Sequence, residues 1–215
     1  MNKKIGILDY GIGNIRSVSN AVSHVGFEPE LLTSPGDIKG YQHIIVPGVG
    51  NFGHAVEEFA RFEFGEAMQD YIISGGNCLG ICVGMQMLFD MSEESPDVKG
   101  LGLISGNVVK MTNQVKGSER KLKLPHIGWS ALHLETRSTL AQKLLRDVDA
   151  HSPFYFVHSY TAQPLSNENL NATVAYGENR IAAMVSNENV IGTQFHPERS
   201  GLSGLKIIQN FCELP

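Results

Sequence analysis

The sequence holds only three cysteines, an odd number: Cys78, Cys82 and Cys212. So few thiols in a mid-sized chain argue against a disulfide framework and fit a reducing cytoplasm, where a cysteine serves as a core residue or a catalyst. Excess positive charge is also lacking, since 17 Lys and Arg stand against 22 Asp and Glu for a net charge of −5. No electrostatic footprint for nucleic acid or an anionic membrane follows from that balance. Long hydrophobic runs are missing too. Ile44–Val46 and Ile181–Val185 are far short of the ~20 residues that cross a bilayer. Met1–Lys4 is basic, but Asp9 soon interrupts the apolar stretch behind it, so no secretory signal is expected. No repeat, low-complexity tract or linker is found. What is there is 215 residues, 42% hydrophobic and 18% charged, which can bury a core and argues against disorder. The expectation is one α/β domain over residues 1–215, within the usual range of domain sizes.

The first half alternates short β-rich runs with helical stretches. Ile5–Tyr10 reads as a buried strand, with Asn14 as the N-cap of a helix reaching Val25 and Gly26 as its stop. Glu30–Thr33, His43–Val46 and Asn77–Ile81 read as strands; Ala55–Ile73 and Val83–Met91 read as helices. That rhythm predicts a parallel sheet with helices on its faces. In the second half, strand-like runs crowd together: Val108–Met111, Trp129–Leu132, Phe154–Val157, Ala172–Ala175, Ile181–Val185 and Val190–Phe195, before a last helix over Gly204–Cys212. Antiparallel or mixed pairing is expected there.

Gly80-Ile81-Cys82-Val83-Gly84 lies between a predicted strand and a predicted helix. A nucleophile on such a turn has a strained backbone, and glycines two residues either side remove side chains that would collide with it. A helix N-terminus aimed at Cys82 favours thiolate over thiol. The plain alternative is a buried cysteine in a glycine-rich turn. His196-Pro197-Glu198 follows the strand Val190–Phe195. A cysteine nucleophile needs a base, and the base needs a group that fixes its tautomer; His196 and Glu198 supply both, although a His and a Glu in a surface loop are common. Pro47-Gly48-Val49-Gly50 can turn a backbone N–H toward an oxyanion, or be an ordinary β-to-α turn. Gly11-Ile12-Gly13 begins like a dinucleotide fingerprint, but Arg16 stands at the third glycine position and NAD is not expected. Cys78 and Cys82 lack a second pair at zinc spacing, so neither a metal nor a cofactor is expected. The scattered His24, His43, His54, His133 and His151 are read as solvated or core residues.

In this order, the cysteine elbow, the His-x-Glu and the upstream Pro-Gly-x-Gly resemble the triad-type (class I) glutamine amidotransferases. Asp9-Tyr10-Gly11-x-Gly13-Asn14, Pro47-Gly48-Val49-Gly50-x-Phe52, Gly80–Gln86, Ser92-Glu93-Glu94, Ile127-Gly128-Trp129, Tyr155–Tyr160 and His196–Gly201 look like the glutaminase subunits of imidazole glycerol phosphate synthases. The likeness runs from residue 5 to the last helix. It implies a mixed, mostly parallel central sheet flanked by helices, with a flavodoxin-like core. It further implies that Cys82, His196 and Glu198 are catalytic, that Val49 and Val83 give oxyanion N–H groups, and that Gly50, Gln86, Glu94, His158, Ser159 and Tyr160 hold glutamine. The partner implied is a cyclase subunit, a TIM barrel, that takes the ammonia in a heterodimer. Ser130 stands where such proteins usually have Asn, and Asn77-Cys78 and Asp90-Met91 also depart from the pattern. These leave open a subunit whose partner aminates a surface-polysaccharide sugar. A free-standing γ-glutamyl cysteine hydrolase and a regulatory module that kept the fold are the further alternatives, the last opposed by the intact Cys82, His196 and Glu198.

Overall fold

The computed structural model of the chain describes residues 3–115, 118–135 and 138–215. Met1 and Asn2 of the basic opening lie outside the described residues. The elements up to the cysteine are β1 (Lys4–Leu8), α1 (Ile15–His24), β2 (Glu28–Leu32), β3 (His43–Gly48), α2 (Phe52–Arg61), α3 (Phe64–Ile73) and β4 (Asn77–Cys82). After it come α4 (Val83–Gln86), β5 (Met91–Ser92), β6 (Gly106–Lys110), β7 (Gln114–Val115), β8 (Ser118–Lys121), β9 (His126–Ser130), β10 (His133–Leu134) and α5 (Thr139–Leu144). The chain ends through β11 (Phe154–His158), β12 (Tyr160–Pro164), β13 (Leu170–Tyr176), β14 (Asn179–Asn187), β15 (Val190–Thr193) and α6 (Gly201–Cys212).

The main sheet runs β10-β13-β14-β15-β4-β3-β1-β2. β2, β1, β3, β4 and β15 are mutually parallel, while β14, β13 and β10 add antiparallel pairs at one side. The sheet is mixed and mostly parallel, as expected. β3 and β4 are buried along their whole length, as strands covered on both faces must be. Strand order reverses between β1 and β3, and ligands of such sheets sit outside the carboxyl ends of the strands at that point. The ends of β1, β3, β4 and β15 carry Asn14, Val49, Cys82 and His196 to this one edge. Two smaller sheets, β9 with β11 and β12 with β6 and β5, wall the edge off.

Two helices differ from the sequence pattern. Ala55–Ile73 is not one helix but α2 and α3, separated at Glu63, whose φ is 59°. Phe59 and Phe64 are both buried with ring centroids 5.6 Å apart. On an unbroken helix of 3.6 residues per turn, five residues apart puts them on different faces, and the break brings both to the core. Val83–Met91 is helical only to Gln86. The Met87, Leu88 and Phe89 carbonyls instead accept hydrogen bonds from Leu101, Leu103 and Gly102. Gly100 lies so close that a Cβ there would stand 2.0 Å from the Phe89 oxygen. A segment buried on every side takes its partners from a loop rather than from its own next turn.

Candidate active site

Cys82 ends β4 with φ 56° and ψ −112°, a conformation that costs energy for any residue but glycine. The glycines around it have a different reason from the expected one. A Cβ on Gly84 would lie 2.1 Å from the Val46 carbonyl oxygen, and one on Gly80 would lie 2.6 Å from that of Gly84. The elbow is pressed against β3, and it is the backbone, not the cysteine, that leaves no room.

His196 follows β15. Its N–H donates to the Tyr155 carbonyl at 2.9 Å. The Ser200 hydroxyl donates to the His196 carbonyl at 2.6 Å and accepts from Tyr155 N–H at 3.0 Å. The loop is thereby bolted to β11. His196 Nδ1 lies 2.9 Å from Glu198 Oε1, with both side chains buried. Nε2 is buried and makes no hydrogen bond to the described residues. Burial works to lower the imidazole pKa, but Cys82 and the Glu198 carboxylate outweigh it and hold the ring up at about 10. The protonated ring is thus the favoured partner of the cysteine.

A cavity of about 290 Å³ opens over these groups. Small-molecule pockets span ~300–1,000 Å³, so this one suits a single amino acid. Cys82, Val83, His196, Val49 and Gly50 line its floor and one side. Gln86, Glu94, His158, Ser159 and Tyr160 line the rest, with Pro125 and Val157. The structure therefore gathers every site residue singled out in the sequence except Glu198, which sits behind His196. Glu94 Oε2 accepts the Phe52 N–H at 2.8 Å, so the start of α2 orients this carboxylate. A larger groove of about 1210 Å³ lies at the opposite end of the strands, between Pro35–Gly40 and α3; no nucleophile and base meet there.

Two residues take roles that the sequence did not suggest. Asn14 stands at the N-cap of α1, but its side chain makes no capping bond. Instead Asn14 Nδ2 donates to Glu198 Oε1 at 3.4 Å. Gln194 is fully buried; its Oε1 accepts from Gln86 at 2.9 Å, and its Nε2 lies 3.8 Å from the Cys82 sulfur. The available signal for Gln194 was its place two residues before His196 in the run Val190–Phe195 that reads as a strand, where alternate side chains share a side, although β15 itself ends at Thr193. Among the described residues, no group of three His, Cys, Asp or Glu could hold a metal ion, and no helix is long and apolar enough to cross a membrane.

Residues 6–214 match the model of the family "Glutamine amidotransferase class-I". "Imidazole glycerol phosphate synthase subunit HisH" of Chlorobium luteolum is 36% identical over 96% of this chain and 98% of its own. "Imidazole glycerol phosphate synthase hisHF" of Emericella nidulans is 39% identical over 97% of this chain, which spans only 38% of that longer protein. Among solved structures, "Structure of PurLQS from Thermotoga maritima" superposes with a TM-score of 0.72 at 21% identity, covering 98% of each chain. This last likeness concerns the fold alone.

Proposed function

The chain belongs to the class-I glutamine amidotransferase family, and from that membership we propose that it hydrolyses glutamine as the glutaminase subunit of an imidazole glycerol phosphate synthase in histidine biosynthesis. Cys82 Sγ attacks the side-chain amide carbon. The proton that Cys82 and His196 share rests on the imidazole, and His196 delivers it to the departing ammonia, leaving a glutamyl thioester. Water then attacks, His196 accepts its proton and returns it to the sulfur, and glutamate leaves. Glu198 keeps the His196 ring oriented, and Asn14 steadies Glu198. N–H groups of Val49 and Val83 meet the oxyanion. Glu94 pairs with the substrate ammonium, and Gln86 with the backbone at His158–Tyr160 lines the amino-acid pocket.

The ammonia passes to a cyclase subunit, a TIM barrel, that forms imidazole glycerol phosphate and an aminoimidazole carboxamide ribonucleotide. The two chains form a cytoplasmic heterodimer, with residues 1–215 as its glutaminase domain. Ile127 and Trp129 are 58% and 63% exposed on β9, whose partner β11 runs into the cavity wall, and two large apolar side chains in the open beside a site mark a docking surface. The carrying observation is the Cys82–His196–Glu198 array at the floor of an amino-acid-sized cavity. Cys82→Ala should abolish glutamate release by the assembled enzyme while the partner still uses added ammonia. Loss of both activities, or of neither, would reject the proposal. Amination of a sugar in place of cyclisation would favour the polysaccharide alternative.

A further inference from the structure

His126 is absent from the cavity lining, yet it is 3% exposed and ringed by partners. Its imidazole lies between the Phe156 and Tyr176 rings, at centroid distances of 5.3 and 4.1 Å. Directly across the β9–β11 ladder stands His158, which does line the cavity. His126 Nδ1 is 3.3 Å from His158 Nε2, and His126 Nε2 is 3.4 Å from Ser130 Oγ. On its other side, His158 Nδ1 is 2.8 Å from the Tyr160 carbonyl oxygen.

One atom decides every proton in this string. A carbonyl only accepts, so His158 Nδ1 carries hydrogen. In a neutral ring, His158 Nε2 then accepts, and His126 Nδ1 must be the donor that faces it. His126 Nε2 in turn accepts from the Ser130 hydroxyl. Both rings are neutral near pH 7, because burial drives His158 down to about 4 and lowers His126 as well. The Tyr160 oxygen also accepts from Gln86 Nε2 at 3.3 Å, and the second hydrogen of that amide goes to Gln194 Oε1 at 2.9 Å. Gln194 Nε2 then faces Cys82 Sγ. The polar contacts run unbroken from Ser130 on β9 to the nucleophile.

We propose that His126 is a positioning residue for the glutamine pocket: its Nδ1–H holds His158 in the tautomer that ties down the Tyr160 carbonyl, on which Gln86 and, through it, Gln194 are aligned. Without that donor, His158 is free to move its proton to Nε2. Its Nδ1 lone pair would then oppose the Tyr160 oxygen at 2.8 Å, and the ring or the backbone at Ser159–Tyr160 must shift. The inference deepens the glutaminase reading and rests on it.

The test joins a spectrum to a kinetic split. Long-range ¹⁵N imidazole spectra of the full chain should show the Nδ1–H tautomer for both His126 and His158. His126→Phe keeps the stacking and removes the donor; His126→Asn keeps a donor where Nδ1 stood. Assayed with the synthase subunit, His126→Phe should raise the glutamine KM about tenfold with little change in kcat, the cost of one lost buried hydrogen bond. His126→Asn should return KM to within about threefold of wild type. An Nε2–H tautomer at His158 in the wild type overturns the proposal, even if His126→Phe fails to fold. Equal KM values for His126→Phe and wild type also overturn it. If the wild type shows both tautomers but hydrolyses no glutamine, the glutaminase reading itself has failed, and the role assigned to His126 falls with it.

Discussion

Cys82 differs from the other thiols in its surroundings more than in its burial. Cys78 and Cys212 are fully buried, and burial, with a smaller opposing pull from Lys3 at Cys212, pushes each up to about 12. Cys82 alone opens into the cavity. A small haloacetamide should therefore label Cys82 first on peptide mapping, and preferential labelling of Cys78 would contradict the elbow assignment. His196 and Glu198 should not weigh equally. His196 moves protons, whereas Glu198 only orients, and the orienting acid of a triad is the least costly member to lose. His196→Ala should fall to background, while Glu198→Gln should turn over slowly but measurably. Wild-type rates in both would reject the triad. These residues were legible because their chemistry is tied to short, ordered motifs. Asn14 and Gln194 were not, because their partners are 184 and 112 residues away in the chain. An Asn before a helix reads as a cap, and nothing local says that its amide reaches past its own helix to a carboxylate.

At the scale of elements, the same rule separates what the pattern could and could not reveal. Strands β1, β3, β4 and β15 were readable because each is a short apolar run ending in Gly, Pro or the site itself. The break at Glu63 and the early end of α4 were not, since both answer to packing against distant rings and loops. β12 was missed because it continues from β11 after one residue, with no turn signal between them. The Pro47–Gly50 segment shows how structure refines a motif. Gly48 serves close packing, as a Cβ there would stand 2.2 Å from the Gly84 nitrogen. Gly50 has φ +87° and open space around it. The Pro47 carbonyl is held by the Tyr10 hydroxyl at 2.5 Å. The Pro47–Gly48 peptide is thus pinned, and the freedom to turn lies in the next peptide, Gly48–Val49, which carries the Val49 N–H; Val49 is exposed at the rim. A lost oxyanion donor costs about 10²–10³ in rate, and a partner that favours one peptide orientation shifts the population by its differential contacts. The chain alone should therefore be nearly idle and rise at least ~10²-fold with its partner and acceptor ligand. Val49→Pro, which lacks the N–H, should bind the partner yet lose the stimulation. Full activity of the isolated chain, or normal stimulation of Val49→Pro, would defeat this gate.

Across the whole molecule, the buried histidines fall into two classes of opposite pH behaviour, and the lowered class stands at both ends of the strands. At the end remote from the cavity, His43 is fully buried, with Nε2 3.3 Å from Asn77 Nδ2 and its ring edge-on to Phe211. Burial, helped by nearby Lys3 and opposed by a backbone bond at Leu214, lowers it from 6.5 to about 4. His158 at the site end is lowered to about 4 as well, by burial first. Between pH 6.5 and 4 the unfolded chain takes up protons that these two rings refuse in the fold. Stability then rises with pH across that window, and it falls as the solution is acidified. His196 has the opposite sign: its folded pKa is raised to about 10, so its contribution is complete below 6.5 and drains away as pH climbs toward 10. Together they predict a stability profile with an acid limb and an alkaline limb that belong to different residues. The acid limb should be worth about 3 kcal/mol per histidine at most, since each tenfold change in proton affinity is worth ~1.4 kcal/mol. Urea midpoints measured from pH 4 to 10 would trace it. His43→Asn should make the acid limb shallower, leaving the share of His158, without moving the alkaline limb, and His196→Gln should weaken the alkaline limb and leave the acid one. An acid limb of unchanged steepness in His43→Asn would show that His43 already accepts a proton in the folded chain.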